Sequence, residues 1–181
     1  MKSEHFSTFK RRALHTTLAA ALVLGVAGHG INSQAATTSN TATATVVAPI
    51  AIAAGDTLRF GSFSTSAAAQ TVTINATTGA RTSSGALLAT STVGRATFNV
   101  TGSGVLTYAI TLPTNGTVNI TTGTATAPET MAVSTFTSDP SGTGTLTAGA
   151  QTLGVGATIT TVASQVAGAY TGTFNVSVDY N

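Results

Sequence analysis

Residues 168–181, the last of the sequence, read GAYTGTFNVSVDYN. Side chains alternate between the two faces of a β-strand, so a period of two in the sequence collects one kind of side chain on one face. The positions between the apolar ones carry only Ala, Thr, Asn, Ser and Asp. We therefore predict a strand over residues 170–180 that packs on a core. Its inward face would carry Gly168, Tyr170, Gly172, Phe174, Val176, Val178 and Tyr180.

Shorter alternating runs recur upstream between Gly, Asn and Pro residues. They lie at residues 71–75, 96–100, 108–112, 117–120, 131–136, 153–155 and 158–160. Threonine and valine dominate them, and β-branched residues favour strands over helices. Disorder is the rival interpretation, but disordered chains combine low hydrophobicity with high charge, and only 7% of these residues are charged. The pattern predicts an antiparallel β-sandwich of the immunoglobulin-like type, with about seven to nine strands and no helix.

The first 35 residues have the three-part pattern of a secretory signal. Residues 1–12 are basic, residues 13–28 are apolar, and Ser33-Gln34-Ala35 places small residues before the expected cut. A membrane anchor is the alternative, but a spanning helix needs about 20 apolar residues and this run is shorter. We expect an exported protein with a signal peptide at residues 1–35, an N-terminal extension at 36–52 and a sandwich domain at 53–181.

The charges that remain after the leader exclude several functions. After residue 35 the sequence contains three Arg and four Asp or Glu residues, which give a formal net charge of −1. This part of the sequence has no Lys, His or Cys. A basic nucleic-acid surface and a thiol or His-based active site are therefore excluded. The carboxylates are scattered and expected to be solvated, so no catalytic, cofactor-binding or metal-binding residue is assigned and no enzyme is expected. Arg59, Arg81 and Arg95 are expected to serve surface solubility.

A second alternating segment occupies residues 41–52. Its apolar members are mostly small, and no hairpin turn precedes it. It is either the first strand of a closed sandwich or a strand that is handed to another molecule. The residues on its apolar face are Ala42, Ala44, Val46, Ala48, Ile50 and Ile52.

The end of the sequence resembles the chaperone–usher pilins of Gram-negative bacteria, whose subunits end in an alternating strand with a penultimate Tyr and a Gly fourteenth from the end. Tyr180 and Gly168 stand at those positions. Nearly all of residues 42–181 also resemble the secreted domain-of-unknown-function family 4402, which carries pilin-like features. The matching stretches are residues 42–50, 58–61, 98–102, 108–113 and 168–181.

The resemblance implies an incomplete sandwich that is completed by donor-strand exchange. Residues 36–52 would enter the groove of the next subunit, with Ala42, Ala44, Val46, Ala48, Ile50 and Ile52 as the donor-strand residues. Insertion would be tightest over 41–48, because Pro49 cannot donate to a ladder. A place in the subunit's own first strand is the alternative for Ile50 and Ile52. A periplasmic chaperone and an outer-membrane usher are the implied partners. The chaperone-contact and groove strand would carry Gly168, Tyr170, Phe174, Val176, Val178, Tyr180 and Asn181.

The expected function is that of a structural subunit of a cell-surface fimbria that forms a homopolymer. The alternative is a monomeric, self-complemented exported sandwich that acts as an adhesin or binds glycans. Many pilins carry a disulfide that this chain lacks, since it has no Cys. That difference leaves the type of assembly system and any receptor open.

Overall fold

The computed structural model describes residues 35–88, 90–123 and 129–181. The chain divides into two units, Met1–Thr43 and Ala44–Asn181. In the first unit the described residues, 35–43, form no helix or strand, and the predicted signal peptide lies outside the described residues except for its last position. In the described ranges no helix has the length and apolarity needed to cross a membrane.

The second unit is built from short strands rich in Thr and Val, as β-branched residues favour. No helix occurs among its described residues. The ten strands found there are β1 (Ala51–Ala54), β2 (Thr71–Ile74), β3 (Arg81–Ser83), β4 (Ala96–Thr101), β5 (Thr107–Thr111), β6 (Val118–Thr121), β7 (Thr130–Asp139), β8 (Thr143–Thr145), β9 (Ala150–Thr160) and β10 (Ser177–Tyr180).

Strand β9 organises the larger, seven-stranded sheet. One of its edges pairs with β7, which pairs in turn with β6. The other edge pairs with β4 along its first half and with β2 along its second half. Strand β1 extends the sheet beyond β4, and β3 extends it beyond β2. Every one of these pairings is antiparallel, so the sheet has two arms that diverge from a shared central strand.

A smaller sheet has the order β10–β5–β8. Strand β10 pairs with β5 from Ser177 opposite Thr111 to Tyr180 opposite Tyr108. Strand β8 covers the other edge of β5. A turn at Asn115-Gly116, with Gly116 at φ 81°, leads from β5 in this sheet to β6 in the larger one. This turn therefore connects two sheets and does not close a hairpin.

The apolar side chains form two clusters that are covered in different ways. The first core lies between the two sheets, with Val100 and Leu153 from the larger sheet and Tyr108 and Val178 from the smaller one. The second core consists of larger-sheet residues alone. They are Val72, Val118, Met131, Val133, Ala157 and Ile159. Its partly buried neighbours include Ile120 on β6 and Phe136 on β7, and the rest come from segments outside the named strands. Among the described residues, none from the smaller sheet belongs to this cluster.

The predicted fold class is confirmed: the described chain is all-β, its sheets are antiparallel, and their arrangement is that of a β-sandwich. Two of the predicted strands are shorter than expected. Of residues 41–52 only the end lies in β1, and of residues 170–180 only 177–180 lie in β10. The separate runs at 153–155 and 158–160 are parts of the single strand β9.

Candidate functional site

A groove of about 910 Å³ opens over the second core. Its floor is apolar and comes from three neighbouring strands, with Val118 on β6, Val133 on β7 and Ile159 on β9. Residues 57–65, here called the first wall, border one side, and residues 165–174, the second wall, border the other. Phe60 and Tyr170 face the groove from opposite walls. The groove therefore lies over the second core, between two walls that belong to none of the named strands.

The first wall is held by Arg81 together with the isolated backbone bridges Arg59–Gly94 and Phe63–Leu87, and not by a regular strand ladder. The Arg81 Nη1 donates to the carbonyl oxygens of Phe60 (3.0 Å) and Ser62 (3.1 Å), and its Nη2 donates to that of Leu88 (2.9 Å). Gly61 adopts φ 71°, and a Cβ at this position would collide with the Arg81 guanidinium. The prediction that Arg81 serves only surface solubility is therefore wrong, because its guanidinium organises this wall.

Arg95 has a similar structural role away from the groove. Its Nη1 donates to the carbonyl oxygens of Ala76 and Thr77, both at 2.6 Å, and lies 3.7 Å from a carboxylate oxygen of Asp139. The expected purely solvated role is wrong for this residue too. The number of arginines does not reveal such roles, because a single guanidinium has five N–H donors and can bind several carbonyl oxygens at once.

The second wall lies along the edge of β6 that does not pair with β7. Thr171 and Thr121 exchange two backbone hydrogen bonds. An added Cβ at Gly172 would collide with the carbonyl oxygen of Asn119, and one at Gly168 with the Thr122 hydroxyl. Glycine at both positions thus permits a close approach to β6 that no other residue allows. Gly168, a predicted site residue, acts here through the absence of a side chain.

Gln165 and Tyr170 fix the start of the second wall. Gln165 is buried, and its Nε2 donates to the Tyr170 hydroxyl (2.9 Å) and to the carbonyl oxygen of Thr130 (3.2 Å). The Tyr170 hydroxyl donates to the carbonyl oxygen of Val166 (2.7 Å). The sequence analysis did not select Gln165, because a lone amide in a loop carries no periodic signal.

After the Thr171 bridge the chain runs to β10 through an unpaired stretch. Residues 172–176, here called the open edge, make no hydrogen bond with any part of the chain that the structure describes. Phe174 and Val176 nevertheless turn towards the core, and the Phe174 ring lies 5.2 Å from that of Phe136 and 6.2 Å from that of Phe98. The open edge is therefore packed through its side chains while its backbone groups remain unbonded.

The groove is nearly uncharged. Arg59 is the one charged side chain among its described lining residues. The Arg59 Nη1 donates to the Thr57 hydroxyl (3.0 Å), and its Nε is buried with no partner among the described atoms. In the same described ranges no three His, Cys, Asp or Glu residues come together as metal ligands. An apolar surface with amide and hydroxyl groups at its rim suits an uncharged peptide.

The N-terminal segment differs sharply from the body it precedes. From Ala44 to Pro49 the residues of the second unit are exposed and belong to no strand, and Val46 is 97% exposed. Ala42 lies in the first unit, likewise outside any strand. Ile50 and Ile52 instead pack against the first core, and Ile52 pairs with Val100 on β4. Pro49 therefore divides the alternating face into two parts. Residues 42–48 belong to no strand, whereas Ile50 and Ile52 pack against the first core.

Tyr180 connects the two ends of the second unit. Its hydroxyl accepts a hydrogen bond from the Ser103 N–H (2.7 Å) and donates one to the carbonyl oxygen of Ala48 (3.0 Å). The neighbouring Asn181 donates from its backbone N–H and its Nδ2 to Thr107. Val178, two residues before Tyr180, is buried in the first core. The C-terminal site residues therefore serve two places. Gly168, Tyr170 and Phe174 line the groove, and Phe174, Val176, Val178 and Tyr180 pack in or against the first core.

Tyr108, opposite Tyr180 on β5, is the ionisable group most affected by the fold. Burial raises the pKa of Tyr108 above its ordinary 10.0. Its hydroxyl donates to Gln151 Oε1 (2.8 Å), and the same oxygen accepts the Thr145 N–H (2.9 Å). Tyr108 lies in the first core and not in the groove, so its ionisation bears on stability.

Comparison with protein families found one match. The family model described as "Domain of unknown function (DUF4402)" matches residues 50–180, which include both walls, the open edge and both sheets. Neither the curated proteins nor the solved structures yielded a match.

Proposed function

The chain belongs to the DUF4402 family, and from this premise we propose that it is a structural subunit of a cell-surface fimbria. Each subunit would insert its N-terminal strand into the groove of the next copy. The donor segment in this proposal is residues 42–48, and the acceptor is the groove between the two walls. The groove over a core that no sheet covers is the observation that carries the proposal.

The groove favours a strand as its occupant. An uncovered apolar surface gains about 25 cal/mol for each Å² that is removed from water. The open edge beside it offers five successive residues without backbone partners among the described residues. Main-chain pairing at such an edge, with side chains entering pockets on one face, is how β-strand addition gives affinity and specificity.

The donor segment has the matching properties. Ala42, Ala44, Val46 and Ala48 alternate with residues of the opposite face, and no charged residue occurs from Ala36 to Ala54. Burial of Val46, now almost fully exposed, would contribute roughly 1.5–3 kcal/mol. Small alanine side chains contribute less, so the shape of the groove and the backbone hydrogen bonds carry the rest.

Export and partners follow from the same proposal. A free subunit with an apolar groove would aggregate, so a periplasmic chaperone that lends a strand and an outer-membrane usher are the expected partners. The predicted signal peptide supports export, and the surface is the expected destination. No enzymatic activity and no cofactor enter the proposal.

Two copies of the chain can be joined chemically to test this, since the sequence has no Cys. One copy carries Thr173→Cys, at the exposed rim of the groove, and a second carries one cysteine at each position from 42 to 48 in turn. We expect intermolecular disulfides with alternating efficiency along the segment. The matched control replaces the donor cysteine with Val105→Cys, at another exposed apolar position. Equal cross-linking of the control would refute the donor assignment.

A second measurement concerns the polymer itself. Protein sheared from cells is run on a denaturing gel with and without boiling. A ladder that collapses to monomer on boiling is expected, because strand-exchanged fibres are kinetically stable. A single monomer band in the unboiled sample would contradict a polymer.

The alternative function has one observation in its favour. Phe60, Phe63, Tyr170 and Phe174 all line the groove, and aromatic faces are common in ligand sites. A monomeric adhesin or glycan-binding module would use these rings. Binding of soluble oligosaccharides by the monomeric protein, abolished by Phe60→Ala, would support that function over the fibre.

A further inference from the structure

We infer that the Tyr180 hydroxyl anchors the N-terminal segment at Ala48 and so fixes the point from which the donor segment leaves the subunit. This inference rests on the proposed function for its consequence, but the anchor itself is a property of the single chain. Tyr180 is a positioning residue in this scheme. It would act on the next subunit only through the segment that it holds.

The hydroxyl is fully engaged by its two partners. A tyrosine hydroxyl has one proton to donate. The Ser103 N–H donates to the oxygen over 2.7 Å, and the proton is directed to the carbonyl oxygen of Ala48 over 3.0 Å. Since the incoming N–H occupies the acceptor side, the phenolic proton cannot turn there. The Ser103 amide therefore orients the bond to Ala48.

The surroundings are shaped to admit the phenol. Tyr180 packs against the first core and pairs with Tyr108 on β5, which sets the position of its ring. A Cβ at Gly102 would collide with the Tyr180 hydroxyl and approach Leu146 Cδ1 to 2.9 Å. Glycine at this position thus leaves the space in which the hydroxyl reaches Ala48.

The bond to Ala48 is isolated along the segment. Among the described residues no other hydrogen bond is made by residues 44–50. Pro49 has no N–H to contribute, and the ladder of β1 starts at Ala51. Upstream of the bond, Val46 and Val47 are exposed. The Tyr180 hydroxyl thus marks the boundary between anchored and uncommitted chain.

Loss of the bond would move that boundary to Ile50, which packs against the first core. About two residues of additional free chain would add up to about 7 Å of slack. If the point at which the donor segment leaves the subunit is less fixed, the segment has more conformations to lose on insertion. Assembly is then slower. It would not abolish assembly, because no groove residue is changed.

The anchor is tested on the full chain with a nitroxide label at Val46→Cys, which is the single cysteine of the molecule. In Tyr180→Phe we expect the label to become several-fold more mobile than in the parent. Tyr108→Phe is the matched control, because it removes one hydroxyl from the paired residue on the same core and leaves Ala48 untouched. An unchanged label in Tyr180→Phe, or an equal rise in the control, would overturn the anchor.

A second variant tests the anchor independently, in case Tyr180→Phe does not fold. Gly102→Ala displaces the phenol from the opposite side and is expected to release the label in the same way; a label that stays ordered in this variant contradicts the anchor. Assembly is then followed in the unlabelled variants, where Tyr180→Phe should slow ladder formation several-fold. A released label with no ladder in any form, the parent included, would refute the fibre and leave the anchor standing. A released label with an unchanged assembly rate would refute the consequence for assembly.

Discussion

Thr121 and Thr171 exchange two backbone hydrogen bonds, of 2.9 and 3.0 Å, in which the N–H of each donates to the carbonyl oxygen of the other. This one bridge joins the second wall of the groove to β6. Residues 172–176, which follow it, have no backbone partner in the described ranges. The width of the groove therefore depends on a short contact that two neighbouring glycines make sterically feasible.

The first prediction concerns the donor segment. Val46→Asp should leave the free energy of unfolding of the monomer within about 0.5 kcal/mol, because the side chain is exposed. It should prevent polymerisation, because an unpaired carboxylate would have to enter an apolar groove. Gel ladders from sheared cells measure this. Val47→Asp, on the opposite face of the alternation, is the matched control and should polymerise; normal ladders from Val46→Asp would count against the donor assignment.

The second prediction concerns the second wall. Gly172→Ala places a methyl group against the Asn119 carbonyl, so the wall must move away from β6 and lose the Thr121–Thr171 bridge. We expect a loss of about 1–3 kcal/mol of unfolding free energy, measured by urea denaturation. Thr173→Ala, at an exposed neighbouring position, should change it by less than about 0.5 kcal/mol. Equal stability of the two variants would show that the close approach is unimportant.

The third prediction separates the charge of Arg81 from its shape. Arg81→Lys keeps the positive charge but cannot reach carbonyl oxygens of Phe60, Ser62 and Leu88 together, because an ammonium group lacks the planar fork. The expected cost is about 1–3 kcal/mol by chemical denaturation. Arg59→Lys should cost less, since among the described residues the Arg59 side chain donates only to the Thr57 hydroxyl and its Nε has no partner. The reverse order would exclude Arg81 as the organiser of the first wall.

The fourth prediction is a pH dependence. Burial disfavours the phenolate of Tyr108, so its pKa is higher in the folded chain than in the unfolded one, where it is near 10.0. Its contribution to stability is fully present below the unfolded pKa and is lost as pH rises through the folded pKa. Thermal unfolding of Tyr108→Phe, followed from neutral to strongly alkaline pH, should decline less than that of the parent. An equal decline in the variant and the parent would contradict the role of Tyr108 in this dependence.

The sequence predicted the fold class because Thr- and Val-rich alternation is a local signal. Residues 71–74 and 96–101 form strands where the pattern placed them, and the run at 131–136 lies within β7. The inward alternation from Phe174 to Tyr180 is confirmed as well. Only the apolar period of two was needed for these elements.

The groove was less accessible to sequence reasoning because it depends on tertiary contacts. The pattern treats residues 170–180 as one strand, but a strand also needs an edge to pair with, and residues 172–176 have none in the described chain. The first wall is held by a guanidinium distant in sequence, and Gln165 acts through a bond to Thr130, 35 residues away. Side chains that support irregular backbone in this way leave no periodic pattern in the sequence.

The shortness of the open edge has a consequence for the free molecule in solution. Stacking into cross-β steric zippers calls for segments of about six or seven residues with high β-propensity and few glycines. The unpaired run is five residues long and starts with Gly172. Its backbone is thus too brief a template for amyloid growth, although it is long enough to accept one partner strand.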